Sequence, residues 1–500
     1  MNTVAPTQPE SMFDPVFKSG ELRRATFLGL SSTVVAQGVR QAISLMGTIV
    51  VARRVMPFDF GLVAMVAAPL GFLETLRDLS LTTICIQAPR LDHDQVNAFF
   101  WINAVLGAII AAAACVAAPW LARFYHAPAI TEITFALTAG LAAASLCVEH
   151  YGLLRRQMRF TQLAILDTTS TTLSVILGIW AACAGWGYRA VLVQILSARI
   201  ANVAGTWVLC AWRPTLTWRP GAAWALVRSG VSLTGASLLG SLARSLDAIV
   251  LARVTGPRDV GLYTRGLSIG MLPVGLIEGP LSAISFSALS RLQHDAQRSA
   301  RAATLFLRWL TTAMTGMALV LALAPDLAIA VILGHQWSDT APLLAWLALL
   351  TVALPLSNAA IVIATAFGQM QTWIRCASIA ALIIASAVVW GAMGGAHRLA
   401  MAYAIVSLLT AMTTLSIVLR SALPAQNAML RAVAPALIAG LSCWMSATLL
   451  ESIVSSTWNL APLAATALRL AAGGGIYGLW ACWHLQLHHH LHHYTHKHLP

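Results

Sequence analysis

The chain has 500 residues, of which 58% are hydrophobic and 10% charged, with a formal net charge of +13 at pH 7 and a mean hydropathy of +0.75. A water-soluble globule carries about 25% charged residues, so this composition excludes one, and the alternating pattern of a membrane β-barrel is absent. The positive charge is almost all arginine, Lys18 and Lys497 being the only lysines, and its gathering in short loops reads as a topology signal rather than a nucleic-acid surface.

Residues 1–24 are polar and carry Glu10, Asp14 and Glu21, unlike a cleavable secretory signal, and are expected to form a cytoplasmic tail. Apolar runs follow, each long enough to cross a hydrocarbon core of about 30 Å as a helix. The first six, 25–52, 60–86, 96–118, 129–151, 162–185 and 188–211, form an N-terminal lobe over 25–211. A polar connector over 212–227 holds Arg213, Pro214, Arg219 and Pro220. The second six, 228–252, 260–289, 302–324, 341–367, 372–393 and 397–420, form a second lobe over 228–420. Two more, 430–451 and 462–484, lie in a C-terminal segment over 430–484, and a His-rich tail over 485–500 ends the chain. The expected fold is an all-α polytopic membrane protein of about 14 transmembrane helices.

The lobes are related by sequence. Ile49-Val-Val-Ala-Arg-Arg-Val-Met-Pro-Phe-Asp-Phe-Gly-Leu62 returns as Ile249-Val-Leu-Ala-Arg-Val-Thr-Gly-Pro-Arg-Asp-Val-Gly-Leu262, identical at eight of fourteen positions. Self-similarity of this kind marks a duplicated architecture. Each copy reads as a helix end, a turn and a helix start. Arg53 and Arg253 sit near bare carbonyls, Pro57 and Pro257 stop the helix, and Asp59 and Asp259 cap the next one. Because each copy has an even number of spans, the two pseudo-symmetric six-helix lobes are parallel repeats with a cleft between them, and the last two helices have no counterpart.

With the N-terminus inside, the cytoplasmic side holds about eighteen lysines and arginines and the opposite side about seven, which places both termini in the cytoplasm. The eight cysteines lie in apolar runs with no pair at CxxC spacing, and read as reduced small hydrophobes. The histidine tail has no carboxylate or cysteine to complete a metal shell. No Walker-type Gly-x4-Gly-Lys occurs, so ATP hydrolysis is not supplied by this chain. Neither a metal nor another cofactor is expected.

The informative residues are ionisable groups inside the spans: Arg40, Arg77 with Asp78, Arg199, Arg244 with Asp247, Arg265 and Glu278, and, nearer one end, Glu74, Asp167 and Arg469. Each costs about 2.5–3.5 kcal/mol at a helix centre and should therefore face protein or a water-filled cavity. Two readings stand side by side. A cavity with surplus arginine suits an anionic ligand, because guanidinium matches phosphate oxygens bidentately. Alternatively, these arginines make internal salt bridges, for instance Arg244 with Asp247 at i,i+3. Trp101, Asn103, Tyr263 and Trp337 could flank sugars, although aromatic residues are usual at membrane boundaries.

The stretches Arg54-Val-Met-Pro-Phe-Asp-Phe-Gly-Leu62, Ala98-Phe-Phe-Trp-Ile-Asn-Ala-Val-Leu-Gly107, Leu153-Leu-Arg-Arg-Gln-Met-Arg-Phe160, Val260-Gly-Leu-Tyr-Thr-Arg265, Leu289-Ser-Arg-Leu-Gln293 and Ile332-Leu-Gly-His-Gln-Trp337 resemble the polysaccharide transporter family, the Wzx-type flippases of the multidrug/oligosaccharidyl-lipid/polysaccharide superfamily. The resemblance runs from about residue 20 to 450. It implies a two-lobed bacterial inner-membrane carrier, not an enzyme, that flips undecaprenyl-diphosphate-linked oligosaccharide repeat units to the periplasmic face by alternating access, with a polysaccharide polymerase or export machinery as possible partners. Arg244, Tyr263 and Arg265 sit where the family has an arginine and a Tyr-x-Arg, and Asp78 matches a common acid after the second span; with Arg40, Arg77 and Arg199 from the reading of in-span charges these are the expected substrate contacts, and Asp78, Asp247 and Glu278 the expected ion-coupling or salt-bridge residues. Where glycines often follow the acid at Asp78, this chain has Leu79, Ser80 and Leu81. A drug/cation antiporter of the same superfamily would want an acidic cavity. A membrane polymerase or ligase would need a sizeable periplasmic loop, and none here exceeds roughly twenty residues.

Overall fold

A computed structural model describes residues 22–78, 85, 91–216, 245–292, 295–422, 431–457 and 462–485. Among the described residues all regular structure is helical, and two compact units divide the chain, Met1–Gly261 and Leu262–Pro500.

The first unit contains α1 (Leu22–Ala52), α2 (Pro57–Asp78), α3 (His93–Phe124), α4 (Ala129–Ala144), α5 (Val148–Arg156), α6 (Phe160–Cys183) and α7 (Tyr188–Leu209). It also takes in α8 (245–255) and the start of α9 (Pro257–Gly270). α6 packs between α1 and α7, while α4 packs against α2, α3 and α7. The repeated motif folds as its residues dictate. Val55 N–H closes the end of α1 on Val51 O at 2.9 Å, Pro57 opens α2 where a missing N–H costs nothing, and the Asp59 carboxylate accepts the backbone N–H of Met56. The second copy opens α9 with Pro257 and Asp259 in the same places. The two copies also meet: a β-carbon at Gly61 would fall on the Pro257 carbonyl, and one at Gly261 on the Pro57 carbonyl. Only glycine permits this approach of backbones.

The sequence predicts one straight span over 129–151. Instead α4 and α5 form a pair bent by 40°, and the second helix continues to Arg156. Ser145 Oγ donates to the Leu141 carbonyl at 3.1 Å, a local bond that competes with the helical ladder. Gly107 of α3 leaves room for that side chain.

The second unit continues with α10 (Leu272–Arg291), α11 (Ala296–Leu323), α12 (Pro325–Ile332), a 3₁₀ turn (His335–Thr340), α13 (Ala341–Leu347), α14 (Leu350–Ala366), α15 (Met370–Ala392) and α16 (Ala396–Ala422). Asp295 caps α11, accepting from the N–H groups of Gln297 and Arg298. The core joins Leu307, Leu310 and Met314 of α11 to Ala360 and Ile363 of α14 and Leu415 of α16. The fourth span is broken here too: His335–Leu347 and Leu350–Ala366 bend by 42°. The last helices, α17 (Ala434–Thr457) and α18 (Pro462–Arg469), with the π turn Leu470–Gly474 and helical residues 475–485, pack on α11 through Leu319, Leu323, Cys443, Ala447 and Tyr477. Tyr477 Oη donates to the Thr312 carbonyl at 3.0 Å.

Among the described residues nine helices are long and apolar enough to cross a membrane, or eleven when each bent pair counts as one span. Their outward faces are apolar, with Val116 63%, Ile176 58% and Leu382 71% exposed. Hydrocarbon is the solvent in which such faces are stable, and the chain is a multi-pass membrane protein. Of the fourteen expected spans, 79–84 and 86 of the second, 228–244 of the seventh, 430 of the thirteenth and the whole histidine tail from 486 lie outside the described residues.

Candidate functional site

In the first unit the charged side chains pair across helices. α2 ends in Glu74, Arg77 and Asp78, spaced so that one face carries all three. The Arg77 side chain is 7% exposed. Its Nε donates to Asp78 Oδ1 at 2.9 Å, its Nη2 donates to the same oxygen, and its Nη1 donates to the Leu141 carbonyl at 3.1 Å. One turn earlier Glu74 accepts from Arg199 of α7, whose stem rests on Gly140. Arg77 and Arg199 therefore reach α4 at consecutive residues, just before its bend.

Arg40 of α1 lies 3.5 Å from Asp167 of α6 and donates to Gln37. Tyr151 of α5 also donates to Asp167, at 3.0 Å, and the Arg155 guanidinium lies 4.8 Å from the Tyr151 ring centre. Together with Gln37 these groups border a cavity of about 190 Å³. Each of the three described in-span arginines of this unit thus has one carboxylate partner.

The other described residues expected at the site lie on α8, α9, α10 and α18. Asp247 on α8 is buried and accepts the Ala248 N–H at 2.7 Å. On α9 Tyr263 is fully buried and Arg265 half-buried. Glu278 of α10 accepts from Asn358 of α14, and Arg469 pairs with Glu451 at 3.2 Å. Arg244 lies outside the described residues. Trp337 is fully buried, and Trp101 Nε1 donates to the Thr215 carbonyl at 2.8 Å, which straps the connector to α3. Among the described residues no group of three His, Cys, Asp or Glu could hold a metal, and the eight cysteines are free thiols.

Two features are absent from the sequence reading. Glu149 and His150, in the first turn of α5, are buried. Glu149 accepts from Asn103 of α3, while His150 stacks on Trp207 with ring centres 4.7 Å apart. In the second unit, Pro273, Trp309, Gly316, Val320, Ala481 and Leu485 border an apolar groove of about 450 Å³, formed where the extra C-terminal helix lies beside α11.

The chain is similar to the succinoglycan biosynthesis transport protein ExoT of Rhizobium meliloti, at 24% identity over 352 residues, covering 69% of this chain and 70% of that protein. It is also similar to the lipopolysaccharide biosynthesis protein WzxC of Escherichia coli, at 20% identity over 283 residues, covering 55% of this chain and 57% of WzxC. Among solved structures, the lipid II flippase MurJ in an inward closed conformation superposes with a TM-score of 0.70 at 10% identity, covering 91% of this chain and 99% of that one. At that identity the likeness is one of fold. The family model for the polysaccharide biosynthesis protein family matches residues 50–342, more than half of the chain, and the protein belongs to that family.

Proposed function

We propose that the protein is a carrier of the bacterial inner membrane that flips undecaprenyl-diphosphate-linked oligosaccharide repeat units to the periplasmic leaflet by alternating access, with both termini cytoplasmic, and that a polymerase or export machinery takes up its product. The observation that carries this reading is the set Arg40–Asp167, Arg77–Asp78 and Arg199–Glu74 within membrane helices. A guanidinium held by one carboxylate can exchange that partner for a diphosphate, which offers more oxygens in the same fork geometry. The pairs thus keep the cations neutralised between cycles and available within them. Arg40, Arg77, Arg199, Arg244, Tyr263 and Arg265 are assigned to substrate, and Asp78, Asp247 and Glu278 to holding or coupling roles. The apolar groove beside α11 suits an isoprenoid chain. The transport and flippase names of ExoT and MurJ agree with this assignment.

The test is a strain lacking this gene and every paralogue. Labelled lipid-linked repeat units are expected to accumulate facing the cytoplasm and to become periplasmic once the gene is restored. Normal periplasmic appearance without the gene would overturn the proposal.

A further inference from the structure

Glu149 and Asn103 form a pair with a specific defect. Asn103 donates its amide N–H to Glu149 Oε1, and both residues are at most 1% exposed. The other half of each group, Asn103 Oδ1 and Glu149 Oε2, is buried with no hydrogen-bond partner among the described residues. Two orphaned acceptors in one buried pair are costly, and a single hydrogen resolves both. A proton on Oε2 gives Asn103 Oδ1 the donor it lacks and closes the two-bond ring that a carboxylic acid and a primary amide form. It also removes a charge from a site with no cation bonded to it.

The surroundings contain the groups that would otherwise hold a carboxylate. From α2, Arg77 and Asp78 act on Glu149, but the guanidinium is already taken by Asp78 and the Leu141 carbonyl. Cys147 at the bend and Cys85 also face it; both are free thiols. On α5 itself His150 is enclosed by Phe100, Trp207 and Trp212, near Arg213. Asp167 of α6 is engaged by Tyr151 and Arg40. Glu149 also stands two residues beyond the 40° bend between α4 and α5. At the matching break of the second unit the helix beyond the bend opens with Leu350, Thr351, Val352 and Ala353, so the acid belongs to one copy alone.

We infer that the Glu149 carboxyl, paired with the Asn103 amide at the α4–α5 bend, is a proton-binding site, and that its proton is taken from water on one side of the membrane and returned to water on the other as the bend moves. The coupling to movement rests on the carrier reading above, whereas the binding of the proton does not.

Infrared difference spectra of the full chain in lipid nanodiscs, recorded between acid and alkaline pH, read the site directly. The wild type is expected to show a titrating stretch of a buried carboxylic acid. Glu149→Gln should remove it, and Glu132→Gln, which takes away an exposed carboxylate, should leave it in place. Asn103→Ala should move the titration midpoint by about one pH unit, a tenfold change in proton affinity, and carries the test if Glu149→Gln does not reach the membrane. A band that persists in Glu149→Gln, or a midpoint unmoved by Asn103→Ala, overturns the inference. Coupling is then read in vesicles with an imposed pH gradient. The gradient should accelerate movement of a labelled undecaprenyl-diphosphate sugar by the wild type and not by Glu149→Gln. Equal acceleration of both removes the coupling. No movement by either, with the infrared band intact, leaves the proton site standing and removes the carrier reading.

Discussion

At Arg77 three donors meet two acceptors on different helices, the Asp78 carboxylate and the Leu141 carbonyl. A lysine has the charge but one nitrogen, and cannot serve both acceptors in the same plane. Arg77→Lys is therefore expected to reach the membrane in near-normal amounts but restore only part of the sugar export. Arg77→Ala should lose export and about 1–3 kcal/mol of stability, because the guanidinium's hydrogen bonds to the half-exposed Asp78 carboxylate and across to the Leu141 carbonyl of α4 are lost. Quantitative blotting alongside export of radiolabelled sugar separates the two effects, and export unchanged in Arg77→Ala would remove this residue from the substrate path. The Arg199–Glu74 pair makes a sharper case. Glu74→Gln and Arg199→Met each leave one ion in the bundle without its partner, while the double variant leaves none. The double variant should be more thermostable than either single one, with a coupling of about 1–3 kcal/mol; additive losses in thermal melts would mean that the pair is not a unit. These arginines were legible in the sequence because a charge inside an apolar run stands out. Their partners were legible only in part: Glu74, Asp78 and Asp167 could be named, but which acid met which arginine depends on helix packing. Glu149 was missed for a physical reason. A straight 129–151 span puts it at the membrane surface beside Arg155 and Arg156, where an acid is ordinary. Only the bend, and the helix running on to Arg156, carries it into the bundle.

At the level of helices, the repeated motif was legible because turn chemistry is local. Proline at the first helical position, an acid in the first turn and glycine two residues later all do in the fold what their types imply. What the sequence did not show was why glycine stands at 61 and 261. Each faces the carbonyl of the other copy's proline, Pro257 and Pro57 respectively, and that carbonyl is backbone, which cannot rotate out of the way. Gly61→Val is accordingly expected to lower the melting temperature, with a loss of about 1–3 kcal/mol. Gly71→Val, in the same helix but with open space at its β-carbon position, should change it little beyond helix propensity. Equal behaviour of the two variants in thermal melts of detergent-purified protein would show that the contact does not hold the helices together. The bends were illegible for a related reason. Both fourth spans read as continuous apolar runs, and at the break in the first Ser145 bonds back to Leu141 with its side chain in the room that Gly107 of the neighbouring helix leaves, a fit that only packing reveals.

At the scale of the whole chain, the duplication expected from the sequence covers twelve spans and leaves the last two without a sequence precedent. The structure gives them a place. α17 and the helix over 475–485 lie on α11 through Tyr477, Cys443 and Ala447, and the far end of the last helix completes the apolar groove that Trp309, Gly316 and Val320 begin. A carrier of lipid-linked sugar has two solvation problems, a charged headgroup that needs cations and a long hydrocarbon chain that needs an apolar surface throughout the passage. On the function proposed above, the duplicated lobes would supply the first in their arginines, and the appended helices the second. This division is testable because the two ends of the substrate can be varied separately. Val320→Trp adds bulk at a half-exposed groove position without touching the charged pairs. It should slow movement of a sugar diphosphate carried on a full-length undecaprenyl chain several-fold, and slow a short-chain analogue much less. Arg77→Ala should slow both alike, since the diphosphate is common to them. If Val320→Trp treats the long and short chains equally, the groove is not where the chain travels, and the C-terminal helices serve packing alone.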